Sequence, residues 1–159
     1  MNYQTIIKDD LINGEGVRCS LFVSGCSHGC AECFNEVAWD YRSGQEFRTE
    51  TIDTILAELS KPYISGLSLL GGDPLMKKNI ETILELCKIV KDTYPNKTIW
   101  CWSGYTLEEI MDNHASPILE YIDVLVDGKF ILEEKNLKLP FRGSNNQRIL
   151  RKGVDYALS

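Results

Sequence analysis

The sequence predicts an α/β protein whose strands form a parallel sheet of right-handed βαβ units, curled into a partial, open barrel. Three observations carry this reading. Strand-like and helix-like segments alternate along the chain, which is the pattern of a parallel sheet. The unusual loops each follow a strand, and α/β folds place their ligand sites at that edge. The chain has 159 residues, whereas a closed eight-stranded barrel usually takes about 250, so the sheet should stop short of closure and leave an open mouth. A single domain over residues 1–159 is expected, with 130–159 as a less regular tail.

The elements follow in order. Residues 1–17 are mostly polar and end in the turn composition Asn13-Gly14-Glu15-Gly16, leading into the first strand. That strand spans 18–24, with Cys19, Leu21 and Val23 on one face by the period of two. A helix is predicted over 51–59, because Ile52, Ile55, Leu56 and Leu59 share a face at helical spacing. A short buried strand at 66–70 stops at Gly71-Gly72-Asp73-Pro74. A second helix is expected from about 79, with Asn79 as N-cap, to about 93, its face formed by Ile80, Ile83, Leu84, Cys87 and Val90 and its continuation barred by Pro95. The third strand, 98–102, runs into Ser103-Gly104-Tyr105. Thr106 and Glu109 have the spacing of a capping box for a third, shorter helix. A fourth strand at 122–126 precedes Asp127-Gly128-Lys129, and Arg148-Ile149-Leu150 is either a last strand or a docked segment.

Composition narrows the function classes. Hydrophobic residues make up 43% and charged residues 25%, the balance of a soluble globular protein. The formal charge of −6 argues against a nucleic-acid partner, which needs a basic face. No apolar run follows Met1 and none approaches the length of a membrane span, so a cytoplasmic protein without membrane contact is expected. In that compartment the six cysteines read as metal ligands or redox groups rather than disulfides.

Three of those cysteines, Cys26, Cys30 and Cys33, stand at C-x3-C-x2-C spacing in one short loop. A cubane iron–sulfur cluster takes one thiolate per iron. Three ligands therefore leave one iron open to a substrate or cofactor, as catalytic metal sites do. Zinc is the alternative, since His28 would complete a set of three cysteines and one histidine. The spacing favours the cluster, with His28 as a hydrogen-bond donor beside the sulfurs. Gly71-Gly72-Asp73-Pro74 suits a ligand with an amino-acid head: glycines allow close backbone approach and Asp73 can accept from an ammonium. Cys19, Cys87 and Cys101 carry no ligand spacing and read as buried thiols, and His114 as a solvated loop histidine. Trp100 and Trp102 are expected to pack against helices, although they flank the proposed site. The cations Arg142, Arg148, Arg151 and Lys152 form either a solvated terminus or a contact surface for a larger partner.

Assembled, these segments resemble the activating component of anaerobic ribonucleotide reductase, a small radical S-adenosylmethionine (SAM) enzyme. The resemblance covers nearly the whole chain. It is carried by Met1-Asn2-Tyr3, Asn13-Gly14-x-Gly16, Leu21-Phe22-Val23-Ser24-Gly25-Cys26-x-His28-x-Cys30-x-x-Cys33-Phe34-Asn35 and Gly71-Gly72-Asp73-Pro74-Leu75. It continues through Trp100-x-Trp102-Ser103-Gly104-Tyr105, Val126-Asp127-Gly128-Lys129-Phe130 and Arg142-Gly143-Ser144-x-Asn146-Gln147. A glycine usually precedes the third cysteine in this family, and here that position is Glu32.

The resemblance implies a partial (β/α) barrel of the radical SAM type. It implies a 4Fe–4S cluster on Cys26, Cys30 and Cys33, whose open iron binds the amino and carboxylate groups of SAM. Gly71, Gly72 and Asp73 would hold the methionyl ammonium, Glu32, Cys33 and Phe34 the adenine, and Ser103 the ribose or carboxylate. The activity implied is reductive cleavage of SAM to a 5′-deoxyadenosyl radical that installs a glycyl radical on the large subunit of anaerobic ribonucleotide reductase. The partners implied are that subunit and an external one-electron donor of the flavodoxin type, in a homodimer or a heterotetramer. A small-molecule radical SAM enzyme of the deazaguanine pathway, a pyruvate formate-lyase activase and a zinc-stabilised interaction module are the competing readings.

Overall fold

The computed structural model describes residues 1–26 and 40–157. Seven strands form one mixed sheet in the order β3-β1-β2-β4-β5-β6-β7. They are β1 (Asn2–Asp10), β2 (Val17–Val23), β3 (Gln45–Glu46), β4 (Ile64–Gly71), β5 (Thr98–Trp102), β6 (Val124–Asp127) and β7 (Arg148–Arg151). Three helices, α1 (Thr49–Leu59), α2 (Lys77–Thr93) and α3 (Leu107–Asp112), occupy the connections between the parallel strands. The chain is thus α/β, and its sheet is open, with β3 and β7 as its edges.

The central strands β2, β4, β5 and β6 are parallel neighbours, as the alternation of strands and helices predicts. The wholly parallel sheet expected from sequence is corrected at both sides, where β1 and β7 run antiparallel to β2 and β6. β1 escapes a pattern search because most of its side chains are exposed or half-buried. It is held by backbone pairing to β2, with Tyr3 and Ile6 packed partly buried against the core, and the pairing has two irregularities, between Tyr3 and Thr5 and between Ile7 and Asp10. Asp10 closes the strand as a buried acceptor for the backbone N–H of Ile12 at 2.9 Å, Asn13 Nδ2 at 2.7 Å and Ser20 Oγ at 2.6 Å.

Strand alternation divides the sheet into two faces. Cys19, Leu21 and Val23 of β2, Leu67 and Leu69 of β4, Ile99 and Cys101 of β5 and Leu125 of β6 are buried in one core with Ile55 and Leu59 of α1 and Ile80, Ile83, Cys87 and Val90 of α2. Ile52, Leu56 and Leu84, assigned to helix faces from their spacing, pack partly buried against it. The opposite face carries a smaller cluster of Trp100, Val124 and Val126, packed by Trp102, Phe141 and Ile149. The two tryptophans therefore lie on the face away from the main helical core, a correction to the expectation. Period two says which residues share a face, but not which face the helices cover.

Arg18 sits fully buried among the strands, 1% exposed. Its Nε donates to Ser68 Oγ, Nη1 to Glu15 O and Thr98 Oγ1, and Nη2 to the Leu67 and Thr98 carbonyls, at 2.8–3.0 Å. All five N–H donors of the guanidinium are thereby used, and its Cζ lies 5.7 Å from the Trp100 ring centre. Burial pulls its pKa down to about 10, which leaves it charged at neutral pH. This arginine crosslinks β2, β4 and β5 away from the strands' C-terminal edge.

Two further differences lie in the helices. α2 starts at Lys77 with Met76 as its N-cap, so Asn79 is inside the helix. Its side chain is buried and faces the loops instead of capping. At α3 the capping box is present: the Glu109 N–H donates to Thr106 Oγ1 at 3.2 Å and the Thr106 N–H to Glu109 Oε1 at 3.0 Å.

Candidate active site at the C-terminal edge of the sheet

The parallel strands end at Val23, Gly71, Trp102 and Asp127, and the loops that follow them converge on one cavity of about 560 Å³. Cys26, Gly71, Gly72, Asp73, Ser103 and Lys129 lie on its wall. Sequence reasoning thus placed the first cysteine, the Gly-Gly-Asp turn and Ser103 in a single site, and the structure brings these together. Cys30, Glu32, Cys33, Phe34 and His28 lie outside the described residues.

The loops are tied to one another in series. The Gly72 N–H donates to Val23 O and the Asp73 N–H to Gly25 O, each at 2.8 Å. Gly71 has φ of +113°, and a Cβ on Gly72 would stand 2.6 Å from the Gly25 carbonyl oxygen. The two glycines are needed there because the turn presses against the base of the cysteine loop. Asn79 Nδ2 then donates to both Ser24 O and Asp73 O at 2.9 Å, holding the two loops from below. Nothing in the local sequence marks this role, since an asparagine near a helix start reads first as a cap.

Asp73 is 1% exposed. Its carboxylate accepts from Ser103 Oγ at 3.0 Å to each oxygen, from the Gly104 N–H at 2.9 Å and from the Leu75 N–H at 2.9 Å. It therefore joins the loop after β4 to the loop after β5. From there the Ser103 N–H donates to Val126 O at 3.0 Å and the Gly128 N–H to Tyr105 O at 3.1 Å, which brings in the loop after β6. Asp127 is buried and accepts from the Leu107 N–H at 2.8 Å and from Arg148. Arg148 also pairs with Glu108; the two carboxylates, Asp127 foremost, raise the pKa of its guanidinium further.

The tail closes the circuit and forms part of the wall. Gln147 Nε2 donates to Gly128 O at 2.9 Å and Asn146 Nδ2 to Lys129 O at 2.8 Å. The Gly143 and Ser144 N–H groups donate to Gln147 Oε1 at 2.8 and 3.2 Å. Phe141, at φ +62°, turns its carbonyl to Trp102 Nε1 at 2.6 Å and its ring edge to Trp100 at 5.1 Å. The tail cations are engaged within the chain: Arg148 and Arg151 are paired with Asp127 and Glu15, and Lys152 donates to Glu120 O. Trp102 flanks the site as its place in the sequence predicts, but sequence reading missed Phe22, Leu70 and Phe141 as cavity wall, because a wall is made where strands and tail meet, far apart in the chain.

The remaining candidates fall elsewhere. Cys19, Cys87 and Cys101 are buried in the helical core, where desolvation pushes the first two thiols up to about 12 and the third well above its ordinary value. They stay protonated and inert. His114 is half-buried rather than a solvated loop histidine, which corrects the expectation: its Nε2 lies 2.6 Å from Leu75 O and its ring packs edge-on to Tyr105. It props the segment that follows Asp73.

The family model of the 4Fe-4S single cluster domain matches residues 12–150. The chain is 48% identical over 153 residues to the anaerobic ribonucleoside-triphosphate reductase-activating protein of Vibrio cholerae, covering 95% of this chain and 98% of that protein. The proteins of the same name from Haemophilus influenzae and Escherichia coli are 46% and 44% identical, over 95% and 92% of this chain and 98% and 96% of their own lengths. With the matched region spanning all four loops of the site, the chain belongs to the family of anaerobic ribonucleoside-triphosphate reductase-activating proteins, built on a 4Fe–4S single-cluster domain.

Proposed function

We propose that this protein activates an anaerobic ribonucleoside-triphosphate reductase by radical SAM chemistry, on an open sheet of the radical SAM barrel type. The observation that supports this most is the shared wall: Cys26 and the Gly71-Gly72-Asp73 turn border one cavity at the C-terminal edge of the parallel strands. Cys26, Cys30 and Cys33 would hold the 4Fe–4S cluster. The cavity fits SAM in size, since pockets for ligands of that class hold about 300–1,000 Å³. It fits in chemistry too, because an apolar wall of Phe22, Leu70, Trp102 and Phe141 faces polar groups on Asp73, Ser103, Lys129 and Arg142.

The cluster held by Cys26, Cys30 and Cys33 would supply the single electron for reductive cleavage of SAM, the chemistry that would install a glycyl radical on the reductase. The chain's own residues bind, orient and shield. The segment Glu32 to Phe34 would contact the adenine, and Gly71, Gly72 and Ser103 the methionyl and ribose groups. Asp73 would serve the ammonium end, with Ser103 and Gly104 held in place by its carboxylate. None of these side chains has to move a proton. The open sheet leaves the mouth accessible to a protein segment, where Ile12 and Leu137 stand on the cavity wall 77% and 78% exposed.

The test is anaerobic reconstitution with iron and sulfide, a reductant, SAM and the reductase large subunit. The expected products are methionine and 5′-deoxyadenosine, with a glycyl radical signal on the partner by electron paramagnetic resonance. Deuterated glycine in the partner should place deuterium in the 5′-deoxyadenosine. Cleavage of SAM without a partner radical, with the label instead drawn from a small metabolite, would replace this reading with a small-molecule enzyme.

A further inference from the structure

Of the tail cations Arg142, Arg148, Arg151 and Lys152, two arginines are paired with carboxylates within the chain. Arg148 pairs with Asp127 and Glu108, Arg151 pairs with Glu15, and Lys152 donates to Glu120 O. Arg142 is different. It lies on the cavity wall, and its hydrogen bond among the described residues runs from Nη1 to a neutral carbonyl, Gln147 O, at 2.9 Å. Its Nε is buried and has no hydrogen-bond partner there. Buried donors are costly to leave unmade, and a charged donor more so. Arg142 is thus a guanidinium of the cavity wall with one buried, unpartnered N–H and no anion paired to it among the described residues.

The rest of the wall says what kind of acceptor belongs there. The cavity's buried anion, Asp73, is already engaged by Ser103 Oγ and the Gly104 and Leu75 N–H groups. The other cation on the wall, Lys129, is exposed and keeps its hydration. An arginine presents two parallel N–H donors that match a carboxylate, which an ammonium cannot do. Arg142 is also held in place, since the loop it opens is clasped to Gly128 and Lys129 through Gln147 and Asn146. We propose that Arg142 is an anion-binding residue of this cavity and takes the α-carboxylate of the methionyl group of SAM. This rests on the reading that SAM occupies the cavity.

The experiment compares two ligands on cluster-loaded protein: SAM and decarboxylated SAM, which keeps the sulfonium, ammonium and adenosine but lacks the carboxylate. Dissociation constants are measured by anaerobic equilibrium dialysis for the native protein, Arg142→Gln and Arg142→Lys, with iron content and circular dichroism as checks on each. Loss of a charge-assisted contact predicts SAM binding about ten- to a hundredfold weaker in Arg142→Gln. Binding of decarboxylated SAM should change by less than about threefold, since it never used the contact. Arg142→Lys keeps the charge without the fork, so its SAM affinity should fall between the two; it also serves if the glutamine variant does not fold. Equal weakening towards both ligands would make Arg142 a structural residue and overturn the assignment. Unchanged SAM affinity in both variants would overturn it as well. Native protein that binds neither ligand overturns the SAM reading itself, and the assignment with it.

Discussion

Asp73 ties the loops after β4 and β5 together, and on the proposed function it also serves the ammonium of SAM; its removal tests both. Asp73→Ala would strand the Ser103 hydroxyl and the Gly104 and Leu75 N–H groups in a buried place, where each unmade donor costs about 1–3 kcal/mol. Water entering the vacated space would recover part of that. The expected outcome is a loss of about 2–4 kcal/mol in urea unfolding, together with SAM affinity about tenfold or more weaker. Iron and sulfide content should stay normal. A variant with native SAM affinity would reduce the turn to a structural element. The cysteines divide in the same manner. Ala at Cys26, Cys30 or Cys33 should abolish the iron–sulfide absorbance, whereas Ser at Cys19, Cys87 or Cys101 should leave it and lower stability, because a hydroxyl enters the helical core without an assured partner. Full cluster content in Cys30→Ala would refute the ligand set.

At the scale of elements, the β1–β2 corner and the tail clasp are the two features that hold the site's frame. Burial of Asp10 would raise its pKa, but the hydrogen bonds from Ser20, Ile12 and Asn13 outweigh this and hold it below the ordinary value. A carboxylate with a depressed folded pKa stabilises the fold above its unfolded value of about 3.9, and that contribution is lost as the pH falls through the lower, folded value. The gap in urea midpoint between the native protein and Asp10→Asn should therefore be widest near neutral pH and close in strong acid. A gap that widens towards acid would contradict the assignment. In the clasp, Gln147 accepts from two N–H groups of its own loop and donates to Gly128 O. Gln147→Ala should cost about 1–3 kcal/mol, and hydrogen exchange should quicken at Gly143 and Ser144 while the core strand β4 stays protected.

For the whole molecule, the open sheet places the cavity mouth between the β1–β2 connection and the tail. Ile12 and Leu137 are large apolar side chains left in water on the wall of one cavity, an arrangement that marks contact sites when it is local to a cleft. The occupant expected there is the glycine-bearing segment of the reductase. Leu137→Asp should raise the reductase concentration needed for half-maximal radical formation about tenfold, while SAM affinity and cluster content remain native. A parallel loss of SAM affinity would place Leu137 in the ligand site instead of at the partner's entrance. Among the described residues no helix is long and apolar enough to cross a membrane.

What the sequence by itself determined about this protein is whatever neighbouring residues decide together: the four parallel strands, the amphipathic faces of α1 and α2, the capping box at Thr106, the three-cysteine spacing and the punctuating Gly-Gly-Asp-Pro turn. Each is a local pattern with a period or a turn chemistry of its own. Only the tertiary structure decided the rest. β1 is held by backbone pairing and only partly buried apolar side chains, too weak a pattern to read, and the side of the sheet that takes Trp100 and Trp102 depends on where the tail packs. Asn79 was hidden as a cap, His114 as a loop residue and Arg142 as a terminal cation. Their partners lie between 5 and 55 residues away, and a side chain's role follows from what burial leaves it to bond with.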